Sequence, residues 1–202
     1  MKTAIVLSCL LAGSLSVGNT SFTHVVDNGS KTSFKNSTKL LTTAAKRDYH
    51  NPTKPVGAIQ IIVDKSSYEL YVYDSQGWFA TYPVVFGNSS LDDKRMEGDK
   101  NTPEGTFKIV NKRIHDKWKR YMGLDYPTSE SLAKFNARKK RGEIPSHASP
   151  GGGIGIHGTW PNEDYQIDRF KNWTNGCIAL KNEDVSDLYS YIPIGTPITI
   201  RK

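Results

Sequence analysis

The sequence predicts a mainly β domain of sandwich or barrel type. Three features of the chain from Ala58 onward predict it. Short runs rich in β-branched and aromatic residues recur there. Turn-forming clusters of Gly, Pro, Asn and Asp separate them, in a chain that carries 17 Gly and 10 Pro. Helical periodicity is confined to two stretches near the middle and the end.

Ala58 to Asp64 and Tyr68 to Asp74 are apolar-aromatic runs flanking Lys65-Ser66-Ser67, the pattern of a hairpin. Trp78 to Phe86 is a third strand, opened by Gln76-Gly77 and closed by Gly87-Asn88. Thr106 to Val110 is a fourth, after the turn signal Thr102-Pro103-Glu104-Gly105. Ile154 to His157 and Ile198 to Ile200 are short strands near the end. Thr128 is placed to cap a helix over Ser129 to Arg141, with Leu132, Phe135, Ala133 and Ala137 inward and Gly142 as the stop. Its basic end, Arg138-Lys139-Lys140-Arg141, suits a helix C-terminus and reads as a solvated face. A second helix is expected from Glu183 to Ile192, capped by Asn182 and stopped by Pro193, with Val185, Leu188, Tyr189 and Ile192 on one face.

The first residues have a different texture. Residues 1–18 hold one Lys, an apolar run and small residues at Ser16 and Gly18, which is the pattern of a secretory signal peptide. Leu7-Ser8-Cys9 loosely resembles a lipidation site, but Cys9 follows Lys2 too closely for a full apolar region, so lipidation stays the lesser alternative. Residues 19–54, rich in Ser, Thr, Asn and Lys, read as a flexible tether, and residues 55–202 as one catalytic domain. Beyond the N-terminus no apolar stretch approaches the length of a membrane helix, which excludes a multi-spanning protein. The net charge of +7 favours a polyanionic neighbour: nucleic acid, an anionic membrane or an acidic wall polymer. If Cys9 leaves with the signal, Cys177 is the lone exported thiol and no disulfide framework is possible.

The chemistry is concentrated between residues 151 and 180. Gly151-Gly152-Gly153 leads into Ile154-Gly155-Ile156-His157-Gly158-Thr159, and Thr174-Asn175-Gly176-Cys177-Ile178 follows. A thiol is a modest nucleophile at neutral pH, and a neighbouring imidazole can take its proton and return it to a leaving amine. Cys177 with His157 is therefore the minimum set for acyl transfer. No Asp or Asn follows from spacing as the group that orients the imidazole, which leaves a backbone carbonyl near Gly158. Backbone N–H groups beside the Gly-rich turn are available to a developing oxyanion.

These motifs resemble the L,D-transpeptidase catalytic domain family (YkuD type) of bacterial cell-wall enzymes. The family's signature is a His, usually followed by Gly, then a spacer, then Ser/Thr-x-Gly-Cys; here His157-Gly158 is followed by Thr174-Asn175-Gly176-Cys177. Thr102-Pro103-Glu104-Gly105-Thr106-Phe107 and Ile194-Gly195-Thr196-Pro197-Ile198 add to the likeness, which spans residues 57–202. The resemblance implies a β-sandwich with a capping helical element, Cys177 as nucleophile, and His157 as general base and then acid. It also implies the Gly158 carbonyl as orienter, and Gly176 and Cys177 as oxyanion donors. It implies no cofactor, peptidoglycan stem peptides as substrate, an acceptor amine from a second stem or a wall-linked protein, and a place in the periplasm or cell envelope. In that setting the activity serves wall biogenesis and cell shape.

Two positions depart from the family pattern. Asn175 stands where many members have His, and Ala179 where many have Arg, so a bidentate carboxylate clamp is missing. The pattern is nearer a YafK-like branch, and the acceptor stays open: a transferase uses an amine, whereas an L,D-carboxypeptidase or amidase uses water. Asn175, Thr174, Thr159, Trp160, Arg120 and Tyr121 are the expected substrate-binding residues, with Tyr165, Trp173 and Tyr126-Pro127 as further aromatic candidates. His115 and His147 with His157 and Cys177 match no zinc spacing. A sortase is disfavoured by the missing Thr-x-Thr-Cys segment, and a nucleic-acid binder by the signal and the lack of any such motif. A silent wall-binding module needs neither Cys177 nor His157.

Overall fold

A computed structural model describes residues 54–202. The expected signal peptide over 1–18 and all but the last residue of the tether lie outside the described residues.

The elements are β1 (Gln60–Asp64), β2 (Glu69–Asp74), β3 (Gly77–Pro83), β4 (Gly105–His115), β5 (Lys119–Leu124), α1 (Ser129–Lys140), β6 (Gly155–His157), α2 (Tyr165–Asp168), β7 (Ile178–Ala179), α3 (Asn182–Tyr191) and β8 (Pro197–Arg201). The strands run in the order β3-β2-β1-β8-β4-β5-β6-β7. The mainly β class with a few helices is borne out. β4 joins two groups of strands. Its first residues, Gly105 to Lys108, pair with β8, and Ile109 to His115 pair with β5, with a register shift between Ile109 and Asn111. Such a bulge bends a strand and strengthens its twist, which lets one long strand serve both groups.

The core follows from alternation along these strands. Ile61, Val63, Leu70, Val72 and Ile198 from one group join Met122, Ile156 and Ile178 from the other in one buried cluster. Val185, Leu188 and Ile192 of the α3 region enter the same cluster, as the 3.6-residue spacing requires. Lys112 on β4 donates to the carbonyls of Tyr189 and Ile192, placing a cation at the C-terminus of α3. The Tyr82 hydroxyl adds a bond to Asp187 at 2.6 Å, tying β3 to the same helix.

Several local expectations shift in detail. The third strand stops at Pro83, and Val85 makes only an isolated bridge to Ala179. The fourth runs on to His115 and turns back as β5, which the charged residues around their turn, Lys112 to Arg120, conceal in the sequence. Lys65 sits in the expected turn yet is fully buried, its Nζ 2.7 Å from Glu104 Oε1 and bonded to the carbonyls of Asp92 and Thr102. Asn182 does not cap α3. It is the first helical residue, and its N–H donates to Asp164 Oδ1 at 3.0 Å, so a carboxylate from α2's approach satisfies that helix end. The basic end of α1 is not simply solvated: Arg138 pairs with Asp93 at 2.7 Å and donates to Lys94 O.

The α1 cap does stand as expected, with Thr128 Oγ1 accepting from Ser131 N at 3.2 Å. Of its inward set only Phe135 is buried. Thr128→Ala should therefore lower unfolding stability by about 1 kcal/mol. A shift of the urea midpoint at unchanged m-value checks this.

Candidate active site

The site is built on a row that crosses four strands. Arg113 of β4 pairs with Tyr121 of β5, Tyr121 with His157 of β6, and His157 with Ala179 of β7. Side chains alternate along a strand, so Cys177, two residues before Ala179, falls on the face that carries His157. A cleft of about 530 Å³ opens there. Of the residues expected from sequence, it is lined by Cys177, His157, Thr174, Asn175, Tyr121 and Trp160. Arg113, Trp118, Gly153 and Trp173 complete the lining.

His157 is 2% exposed. Its Nδ1 lies 2.7 Å from Gly158 O. A carbonyl only accepts, so the proton belongs on Nδ1 and the lone pair on Nε2. The ring is stacked on Trp118 at 4.5 Å between centroids, and the Trp173 edge meets it at 5.6 Å. Burial pushes the imidazole down to about 4, although the bond to Gly158 works the other way; the nearby His115 adds to the depression. At neutral pH it is an uncharged base with a fixed tautomer.

Cys177 is half-buried, and its thiol donates to Gly153 O at 3.5 Å. Burial raises its pKa, opposed by a backbone hydrogen bond from Gly155 and the charge of Lys94. The resting pair is thus a neutral thiol beside a neutral imidazole. The proton has to move as the sulphur attacks, which is general-base chemistry.

The loop before Cys177 is closed on itself. Thr174 Oγ1 donates to Cys177 O at 2.7 Å and accepts from Gly176 N at 3.1 Å. Gly176 takes φ +120°, a conformation open to glycine. Its N–H, one of the expected oxyanion donors, is engaged by the Thr174 side chain in this structure. The Tyr121 hydroxyl lies instead on the same acceptor as the thiol, donating to Gly153 O at 3.1 Å.

Two expected contact residues lie elsewhere. Arg120 alternates to the opposite face from Tyr121; its guanidinium sits 5.4 Å from the Tyr189 ring centroid. Thr159 is fully buried and bonded to Asp164 and Asn182. Among the further aromatics, Trp173 joins the cleft, whereas Tyr126 donates to Pro150 O and Tyr165 is exposed on α2. Sequence reasoning missed Arg113 and Trp118 because it ended the fourth strand at Val110. Among the described residues no three His, Cys, Asp or Glu side chains gather to hold a metal ion.

Gly158 fits closely. A Cβ there would fall on Asn182 Oδ1 and 2.8 Å from Trp118 O, and both neighbours are held in place. Gly158→Ala should shift the peptide that anchors His157 Nδ1. The expected result is a loss of about 1–3 kcal/mol in stability and a further 10- to 100-fold loss in kcat, read from thermal unfolding and from turnover at a temperature where the variant is folded.

A smaller depression of about 310 Å³ lies beside the cleft, lined by Lys94, Glu97, Gly98, Lys100, Gly151, Gly152 and Asn175. Asn175 borders both.

Residues 58–200 match the model of the L,D-transpeptidase catalytic domain, YkuD. The chain belongs to the YkuD family. YqjB of Bacillus subtilis (strain 168), a protein named as a candidate L,D-transpeptidase, is 28% identical over 144 residues, which cover 69% of each chain. Among solved structures, the helical cell shape determining protein Pgp2 from Campylobacter jejuni is similar in fold, with a TM-score of 0.52 at 20% identity over 78% of this chain and 52% of that one. The chain thus spans about half the length of the solved Pgp2 chain it matches. The YkuD match takes in both the His157-Gly158 and the Thr174 to Cys177 segments. The family supports peptidoglycan activity of the L,D-transpeptidase kind for this domain. Among the described residues no helix is long and apolar enough to cross a membrane.

Proposed function

We propose that the protein is an exported cysteine acyl-transferase of the cell envelope, acting on peptidoglycan stem peptides through a thioester on Cys177. The observation that carries this reading is the pairing, in one cleft of a YkuD domain, of a neutral thiol with an imidazole whose Nδ1 is fixed on Gly158 O.

In the proposed sequence, Cys177 Sγ attacks the carbonyl of the third, diamino residue while His157 Nε2 takes the thiol proton. The oxyanion of the tetrahedral adduct is met by the Cys177 N–H and by the Tyr121 hydroxyl, which turns from Gly153 O. Collapse breaks the peptide bond, and His157 returns the proton to the departing D-alanine amine. The thioester is then attacked by an amine, which gives a cross-link, or by water, which gives a tripeptide; either restores the thiol.

The two adjoining clefts favour the amine. A hydrolase needs room for one peptide, whereas a transferase must hold a second chain about 3 Å from the thioester carbon. The departures at Asn175 and Ala179 favour the second reading, an L,D-carboxypeptidase, in which acceptor positioning is lost. Export rests on the signal-like residues 1–18.

Incubation of the purified protein with defined tetrapeptide muropeptides, read by mass, tests the reading. A thioester on Cys177 should be trapped, and product should shift from tripeptide towards cross-link as acceptor amine rises. Tripeptide alone at every acceptor concentration makes it a hydrolase. No thioester under any condition leaves a silent wall-binding module.

A further inference from the structure

Arg113 carries the single formal charge among the residues that line the cleft, where no carboxylate balances it. It is exposed, its guanidinium lies 4.8 Å from the Tyr121 ring centroid, and among the described residues it makes no ion pair. A guanidinium with no partner of its own, standing at the cleft, asks for an anionic group on whatever enters it.

From these observations we infer that Arg113 binds a carboxylate on the acyl donor, at a position away from the scissile bond. The inference rests on the reading of the cleft as a stem-peptide site and names what that site selects. Position decides which carboxylate. Arg113 stands on β4, whereas the reacting sulphur precedes β7, three strands away in the order β4-β5-β6-β7. Neighbouring strands lie about 4.8 Å apart, so the two backbones are separated by roughly 14 Å. A long side chain folded over Tyr121 shortens that span without closing it. The guanidinium is thus placed for a side carboxylate further along the donor, and donors amidated only at their side carboxylates separate that group from the terminal one.

The row also explains why an arginine is useful here. Arg113, Tyr121, His157 and Ala179 are successive register partners. Ala179, where many family members carry Arg, is fully buried and bridged to Val85, with no room for a guanidinium. The charge stands at the opposite end of the same row, on the exposed strand. Guanidinium binds carboxylate through two parallel N–H bonds, which a lysine cannot reproduce.

The test uses pairs of tetrapeptide donors identical except that the side carboxylates are free or amidated. Acylation of Cys177 is followed by intact mass for the wild type, Arg113→Gln and Arg113→Lys. Binding of the same donors to the Cys177→Ala protein, with and without Arg113→Gln, is measured by calorimetry. A charge-assisted pair at a part-exposed site corresponds to roughly 10- to 100-fold in affinity. The wild type should prefer the free-acid donor by that factor in both measurements. Arg113→Gln should erase the preference by lowering the free-acid donor far more than the amidated one, and Arg113→Lys should keep only part of it. Equal handling of both donors by the wild type, or a preference that survives in Arg113→Gln, overturns the assignment. An equal loss on both donors assigns Arg113 a structural role over Tyr121 and overturns it too. Donor binding without any acylation sinks the transferase reading and leaves Arg113 to be judged on the binding ratio alone.

Discussion

Cys177→Ala is expected to remove turnover altogether while the protein stays folded. The thiol supplies the one covalent step proposed, and no other Cys lies among the described residues. Enzymes stripped of their nucleophile retain only what binding and oxyanion donors give, a loss on the order of 10⁶ in kcat. Little else should change. Cys177 is half-buried, its thiol makes one long bond to Gly153 O, and the loop is held by Thr174 through backbone atoms that the substitution leaves in place. The far-ultraviolet spectrum and the unfolding midpoint should match the wild type, and labelling of the domain by iodoacetamide should vanish. Wild-type turnover in Cys177→Ala would end the assignment of the nucleophile. A Cys177→Ser protein with substantial activity would show that sulphur chemistry is not required.

The elements that could be read from the sequence are those whose signals are local. The β1–β2 hairpin has alternating apolar residues around a turn where Asp64 Oδ1 accepts from the N–H groups of Ser66 and Ser67. The start of α1 has a capping Thr, and α3 has three apolar residues at helical spacing. Cys177 and His157, the proposed nucleophile and base, are legible because both sit in glycine-crowded segments of unusual pattern. What stayed hidden depends on long-range pairing. The far half of β4 is mostly polar and β5 opens on Lys119-Arg120, and only their pairing with each other and with β6 places Arg113 and Tyr121 beside His157. Trp118 stacks on His157 because it lies at the tip of that hairpin. The sequence points to Arg120, whereas strand parity turns that side chain away and brings Arg113 to the cleft. The engagement of Gly176 N–H by Thr174 is likewise invisible to a motif, which records residue types and not which hydrogen bonds are already made.

His157→Gln is expected to lower kcat by about 10²–10⁴, the range for removal of a general base. Gln has no nitrogen that can accept a proton, so the loss reports the missing base. Alkylation of Cys177 should slow in the variant, because the thiol already resists ionisation in its buried setting. The depressed imidazole sets two pH effects of definite sign. First, with the base neutral down to about 4, the acid limb of kcat/KM should lie well below the usual histidine range. Second, stability is linked to the same proton. An unfolded chain binds a proton at His157 near pH 6.5, whereas the folded one does so only near 4. The neutral imidazole's contribution is therefore present in full above the unfolded value and is lost as pH falls through the folded one. A difference of this size corresponds to about 3 kcal/mol. Urea unfolding at pH 7 and again near pH 4 should show the wild type losing about that much more stability than His157→Gln. Equal losses would mean that the imidazole protonates as an exposed one does, and an unchanged kcat in the variant would remove His157 from the chemistry.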